Sequence, residues 1–134
     1  MSADDAVVAS LERGAEIAGD VSPDVYRRFA ARCPASAALM SHMDDYMLGR
    51  MMQDVLLLLM TPPDDIDRHY LSFEVSSHRA YGVTPDMFPP LLETVRDTLI
   101  AHLGDRWHSG LSAAWNERIA RLGEAIESVG NAHS

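Results

Sequence analysis

Three groups of residues in this chain have the type and spacing to do chemistry. His78 follows Val75 and Leu71 at spacings of three and four, on the apolar face of a helix-forming stretch. An ion-paired surface histidine is out of place there. The imidazole is either a core side chain bonded to backbone or a ring that offers one nitrogen to a metal. A lone histidine cannot hold zinc, which takes four ligands. It can hold a haem iron, because the porphyrin supplies the equatorial nitrogens and the protein adds an axial one. Met40, Met43, Met47 and Met51 recur at spacings of three, four and four, which from Met43 onward makes one helix face. Such thioethers are either adaptable core packing or a soft wall against a flat ring, with a sulfur available to iron beside a histidine. Tyr26 also falls on an apolar helix face. A buried phenol needs a partner, from the protein or from a ligand.

Other chemistries find no support in the sequence. No histidine pair has the i, i+4 spacing of a zinc helix, and there is no Gly-x-Ser-x-Gly or phosphate-cradling Gly-x-x-x-x-Gly-Lys. Asp44-Asp45 and Asp64-Asp65-x-Asp67 read as helix capping and solvated charge, since the glycine and terminal glutamate of a calcium loop are missing. His42, His69, His102, His108 and His133 read as solvent-facing or have no assignable place. Cys33, the one cysteine, excludes an intramolecular disulfide framework and reads as a buried free thiol.

The elements that must position these residues are helices separated by proline. Residues 4–18 carry Val7, Val8, Leu11, Ala15 and Ala18 at helical spacing. Ser22-Pro23-Asp24 is a helix start, with Ser22 as the expected cap, leading through Val25 and Phe29 to about Arg32. A short helical stretch from Ala35 to Met40 follows Pro34, then a helix over 43–60 and another from about Ile66 to Arg79. Thr84-Pro85-Asp86 repeats the start signal before a helix to Gly104, and a last helix runs from about Ser109 to Val129. No segment alternates with period two between turn residues, so the reading is all-α with six or seven helices.

Composition narrows the function classes. The chain has 134 residues, 47% of them hydrophobic, which is one domain's worth of core. Its net charge of −9 argues against nucleic acid as a partner. The longest apolar run, Val55 to Met60, falls far short of the ~20 residues that cross a bilayer. The start Met1-Ser2-Ala3-Asp4-Asp5 is acidic where a secretory signal is basic, so a cytoplasmic location without membrane partners is the expectation.

With these residues in place, the sequence resembles a known family. His78-Arg79-Ala80-Tyr81-Gly82-Val83-Thr84-Pro85-Asp86-Met87-Phe88 is similar to the proximal-histidine segment of bacterial single-domain globins and of the globin domain of flavohaemoglobins. Leu91-Leu92-Glu93, Thr98-Leu99, Leu103-Gly104-Asp105-x-Trp107 and Ala113-Ala114-Trp115 continue the likeness, and Val25-Tyr26-Arg27-Arg28-Phe29 with Pro34 is similar to the family's distal start. The resemblance implies a single globin domain over residues 1–134 that holds haem b (iron protoporphyrin IX). His78 would be the iron ligand, Tyr26 the distal hydrogen-bond donor, and Tyr81, Val83 and Phe88 part of the haem pocket. Arg50, one turn beyond Met47, and Arg79, next to His78, are each placed either to meet a haem propionate or to be solvated helix arginines.

The departures from the pattern concern the distal wall. Met40 stands where the family carries a phenylalanine that stacks on the porphyrin. Met47 (or Tyr46, depending on the gap) stands at the usual distal histidine or glutamine, with Met51 next inward. Phe88 stands where flavohaemoglobins often have a tyrosine. The implied function is reversible binding of a diatomic gas, oxygen or nitric oxide. Dioxygenation of nitric oxide would require a separate reductase. Ligation by Met47 or Met51 would instead give a six-coordinate redox or sensing protein, and loss of haem a globin-fold interaction module.

Overall fold

The computed structural model describes the backbone of residues 3–131 and the side chains of residues 6–131. His133 lies outside the described residues. Within them the chain forms α1 (Ala3–Ala18), α2 (Ser22–Arg32), α3 (Pro34–Ala38), α4 (Asp45–Met60), α5 (Arg68–Arg79), α6 (Phe88–Leu103) and α7 (Ser109–Asn131). Three single turns of 3-10 helix lie at Pro63–Asp65, Pro85–Met87 and Gly104–Arg106. No strand occurs among the described residues, so the chain is all-α there.

The helix boundaries follow from local chemistry. Asp44 caps α4 by accepting the Met47 N–H at 2.8 Å, and Asp67 caps α5 by accepting that of His69 at 2.8 Å. The start of α2 differs from the expectation: Ser22 is already helical, and its own N–H donates to Asp20 Oδ1 at 2.9 Å. Asp20 does the satisfying, and this hydrogen bonding holds its carboxyl below the usual carboxylate range. The segment after α5 turns at Gly82, whose φ of 92° is open to glycine at little cost.

α7 is the hub, packed against α1, α5 and α6, while α4 leans on α1. The main core gathers Val7, Val25, Leu59, Val95, Leu99, Trp115 and Leu122, with Trp115 wholly buried. Burying an indole leaves its N–H in need of an acceptor. Trp115 Nε1 donates to Ser10 Oγ at 2.8 Å, and that hydroxyl donates to the Val7 carbonyl at 2.7 Å, which pins α7 to α1. Gly14 lets α1 approach α6, since a Cβ there would come within 2.5 Å of Leu99 Cδ2. Arg118, buried on α7, donates to the Leu59 carbonyl in the last turn of α4. A cation suits the negative end of a helix dipole. No helix among the described residues is long and apolar enough to cross a membrane.

Candidate functional site

α4 and α5 follow one another in the chain but do not pack closely together. Between these helices, the α3–α4 connection and the start of α6 lies a cavity of about 450 Å³. That is within the roughly 300–1,000 Å³ typical of ligand and cofactor pockets. Its inner end is apolar, formed by Phe29, Leu71, Val75, Leu92, Leu122 and Ile126, all buried. Met47 and Met51 line it from α4 and Met87 from the turn before α6, while Met40 and Met43 line it from the α3–α4 connection, because Asp44 caps α4 and the helix face expected from Met43 begins only at Asp45. His42, Tyr46, Met47, Arg50 and Tyr81 line the cavity and are exposed, which marks where it opens.

His78 occupies the last turn of α5 and lines the cavity, partly buried. Its Nδ1 lies 2.6 Å from the Glu74 carbonyl oxygen. A carbonyl only accepts, so Nδ1 carries the proton and Nε2 the lone pair. An imidazole whose other nitrogen donates to backbone is fixed in tautomer and ring orientation, as metal-ligating histidines are. Phe88 meets the ring edge-on at 5.3 Å and 63°, and the Val83 and Tyr81 N–H groups donate to the His78 carbonyl at 3.1 and 3.0 Å. The Glu74 carbonyl and the Phe88 phenyl ring thus fix the imidazole from two sides, while the bonds to its backbone carbonyl close the end of α5.

Most residues expected at the site from sequence are brought together: His78, Met40, Met47, Met51, Arg50, Tyr81, Val83 and Phe88 all line the cavity. Tyr26 and Arg79 are not among the described residues that line it. The Tyr26 hydroxyl donates to the Leu48 carbonyl of α4 at 2.6 Å, and burial, then the charge of Asp20, push its pKa up to about 12. It remains a neutral donor, committed to backbone. Arg79 Nη2 reaches the Gly130 carbonyl at the end of α7 at 3.4 Å. Arg50 stands at the rim, with Nη1 3.4 Å from the Tyr46 hydroxyl.

Sequence reading missed His42, Tyr70 and Met87 as lining residues, while Tyr46, the alternative to Met47 at the distal position, lines the cavity beside it. His42 lies in an irregular connection, where no periodicity assigns a face. Its neighbour Met43 belongs to the thioether stripe, and that adjacency was the available signal. Cys33 is partly exposed rather than buried, at the bend between α2 and α3.

The cavity can therefore take an apolar, plate-like or elongated group. It offers one oriented imidazole nitrogen, thioethers, and a cation at the rim. Among the described residues no cluster of three or more His, Cys, Asp or Glu exists to hold a bare metal ion. Compared with known protein families, curated proteins and solved structures, the chain shows no match.

Proposed function

We propose that the chain binds haem b in this cavity through His78 and, so loaded, binds a diatomic gas, oxygen or nitric oxide. The observation that carries the reading is the His78 Nδ1–H donated to the Glu74 carbonyl, which leaves Nε2 as a ready donor lone pair on an apolar cavity. When bound, haem supplies an iron that takes up such a gas reversibly. The residues fit this group. One imidazole is enough where the macrocycle provides the other ligands, the methionine wall and buried aliphatic end suit an apolar plate, and Arg50 at the rim suits a carboxylate. The arrangement also matches the globin resemblance of residues 78–88. Dioxygenation of nitric oxide would draw its electrons from a separate reductase.

A second reading is favoured by one observation. The Tyr26 hydroxyl is committed to Leu48, while Met47 and Met51 both line the cavity. On this reading a Met47 or Met51 thioether would serve as a second protein ligand to the iron beside His78, and the protein would act in redox or sensing.

Absorption spectra of the purified chain titrated with haemin test both readings. Saturable growth of an intense Soret band that is lost in His78→Ala supports haem held by His78. No spectral change on haemin addition overturns it and leaves a haem-free interaction module. In the reduced protein, a five-coordinate spectrum favours gas binding. A six-coordinate spectrum that reverts in Met47→Leu or Met51→Leu favours the thioether.

A further inference from the structure

The segment between α2 and α4 forms one side of the cavity, and almost nothing anchors it. No residue from 33 to 44 is buried, and α3 packs on α2, its neighbour in sequence. Few buried apolar contacts mark a segment that opens locally at low cost. Two contacts reach across to the α5–α6 connection. The His42 and Tyr81 rings stack with centroids 5.0 Å apart and planes within 6°. Leu39 reaches Gly82, where a Cβ would sit 3.6 Å from Leu39 Cδ2. His42 and Tyr81 both line the cavity, and both are otherwise exposed, Tyr81 at 63%.

We propose that His42 and Tyr81 form a latch across the mouth of the cavity, and that its opening sets how fast a ligand enters and leaves. The stack joins two connections that come from different helices and flank the same opening. Tyr81 follows directly on the turn that ends α5, so the latch is fixed to the element that carries His78. His42 sits on the weakly anchored side and is the part that swings. The ligand-exchange part rests on the haem reading; the closure itself does not.

Two measurements on the full chain separate these. The first is the rate of haemin transfer to an excess of a haem-free scavenger protein, for wild type, His42→Ala, Tyr81→Ala, the double variant and Tyr81→Phe. The second is peptide mass spectrometry of methionine oxidation by dilute hydrogen peroxide in haem-free protein. Met51, which lines the cavity, is read against Met60, which is exposed at 37% and lies outside the lining. Losing one aromatic pair should speed haemin loss and raise the Met51/Met60 oxidation ratio by roughly 2–10-fold. The double variant should go no further than either single one, and Tyr81→Phe should match wild type. Unchanged ratios in both alanine variants, or additive effects of the two, overturn the latch. If haemin fails to bind, the haem reading falls, and the methionine ratio alone decides the latch.

Discussion

The two halves of the molecule use the same helical grammar to opposite ends. In the half built from α1, α6 and α7, apolar stripes meet and vanish: Trp115, Val95, Leu99 and Leu122 are at most 1% exposed. In the half built from α3, α4 and α5, Leu59, Leu71 and Val75 are buried too, but the side chains around the cavity mouth are only partly covered, and Met47 and, just past α5, Tyr81 stay 38% and 63% exposed. Apolar surface left half-covered around a cavity of about 450 Å³ stabilises the fold less than it would if closed. The difference teaches that one half closes into core while the other leaves apolar surface around an open cavity.

Substitutions sharpen that contrast when ordered by expected size. Trp115→Ala removes a wholly buried ring and its bond to Ser10, and should cost about 3–5 kcal/mol by denaturant unfolding. A loss under about 1 kcal/mol would break the claim that this half closes into core. Arg118→Met removes a buried, charge-assisted bond to the Leu59 carbonyl and should cost about 1.5–3 kcal/mol, reported by the same denaturant midpoint.

Tyr26→Phe tests the boundary between the halves. Loss of its bond to Leu48 should cost about 1 kcal/mol and leave haemin binding unchanged, whereas a role at the cavity would weaken binding. The same residue gives an alkaline signature. Its folded pKa of about 12 lies above the ordinary value of 10.0, so the stability it contributes is intact below pH 10 and lost as pH rises toward 12. The melting temperature of wild type should therefore fall more between pH 9 and pH 11 than that of Tyr26→Phe. Smallest of all, Met47→Leu should shift stability by less than about 0.5 kcal/mol, because the side chain is partly exposed and the swap nearly conserves volume. A large loss in thermal melts would mean the methionine wall is ordinary core.

Much of the fold was legible in the sequence. The proline-punctuated starts and three-and-four spacings placed all seven helices, and their ends fell within three residues of those expected. The exceptions were local competitions: Asp20 rather than Ser22 satisfied the start of α2, and the chain before α5 spent Pro63–Asp65 on a 3-10 turn, so that α5 begins at Arg68. The candidate site was legible where a regular apolar stripe marked the helix face, as with His78, Met47 and Met51, but not at Tyr70 of α5. In the connections only the family resemblance named Tyr81 and Val83, and His42, which meets Tyr81 from 39 positions earlier in the chain, was illegible.

The sequence by itself determined where helices start and stop and which faces are apolar, because caps, prolines and periodicity act over one or two turns. It also determined that an imidazole, a phenol and a row of thioethers lie on such faces. The tertiary structure alone decided which of those faces close and which stay apart. It committed the Tyr26 hydroxyl to Leu48, sent Arg79 to the end of α7, and brought His42 to the cavity mouth. Those outcomes depend on how helices distant in sequence cross, and one hydroxyl or guanidinium is claimed by whichever backbone carbonyl the crossing brings within reach.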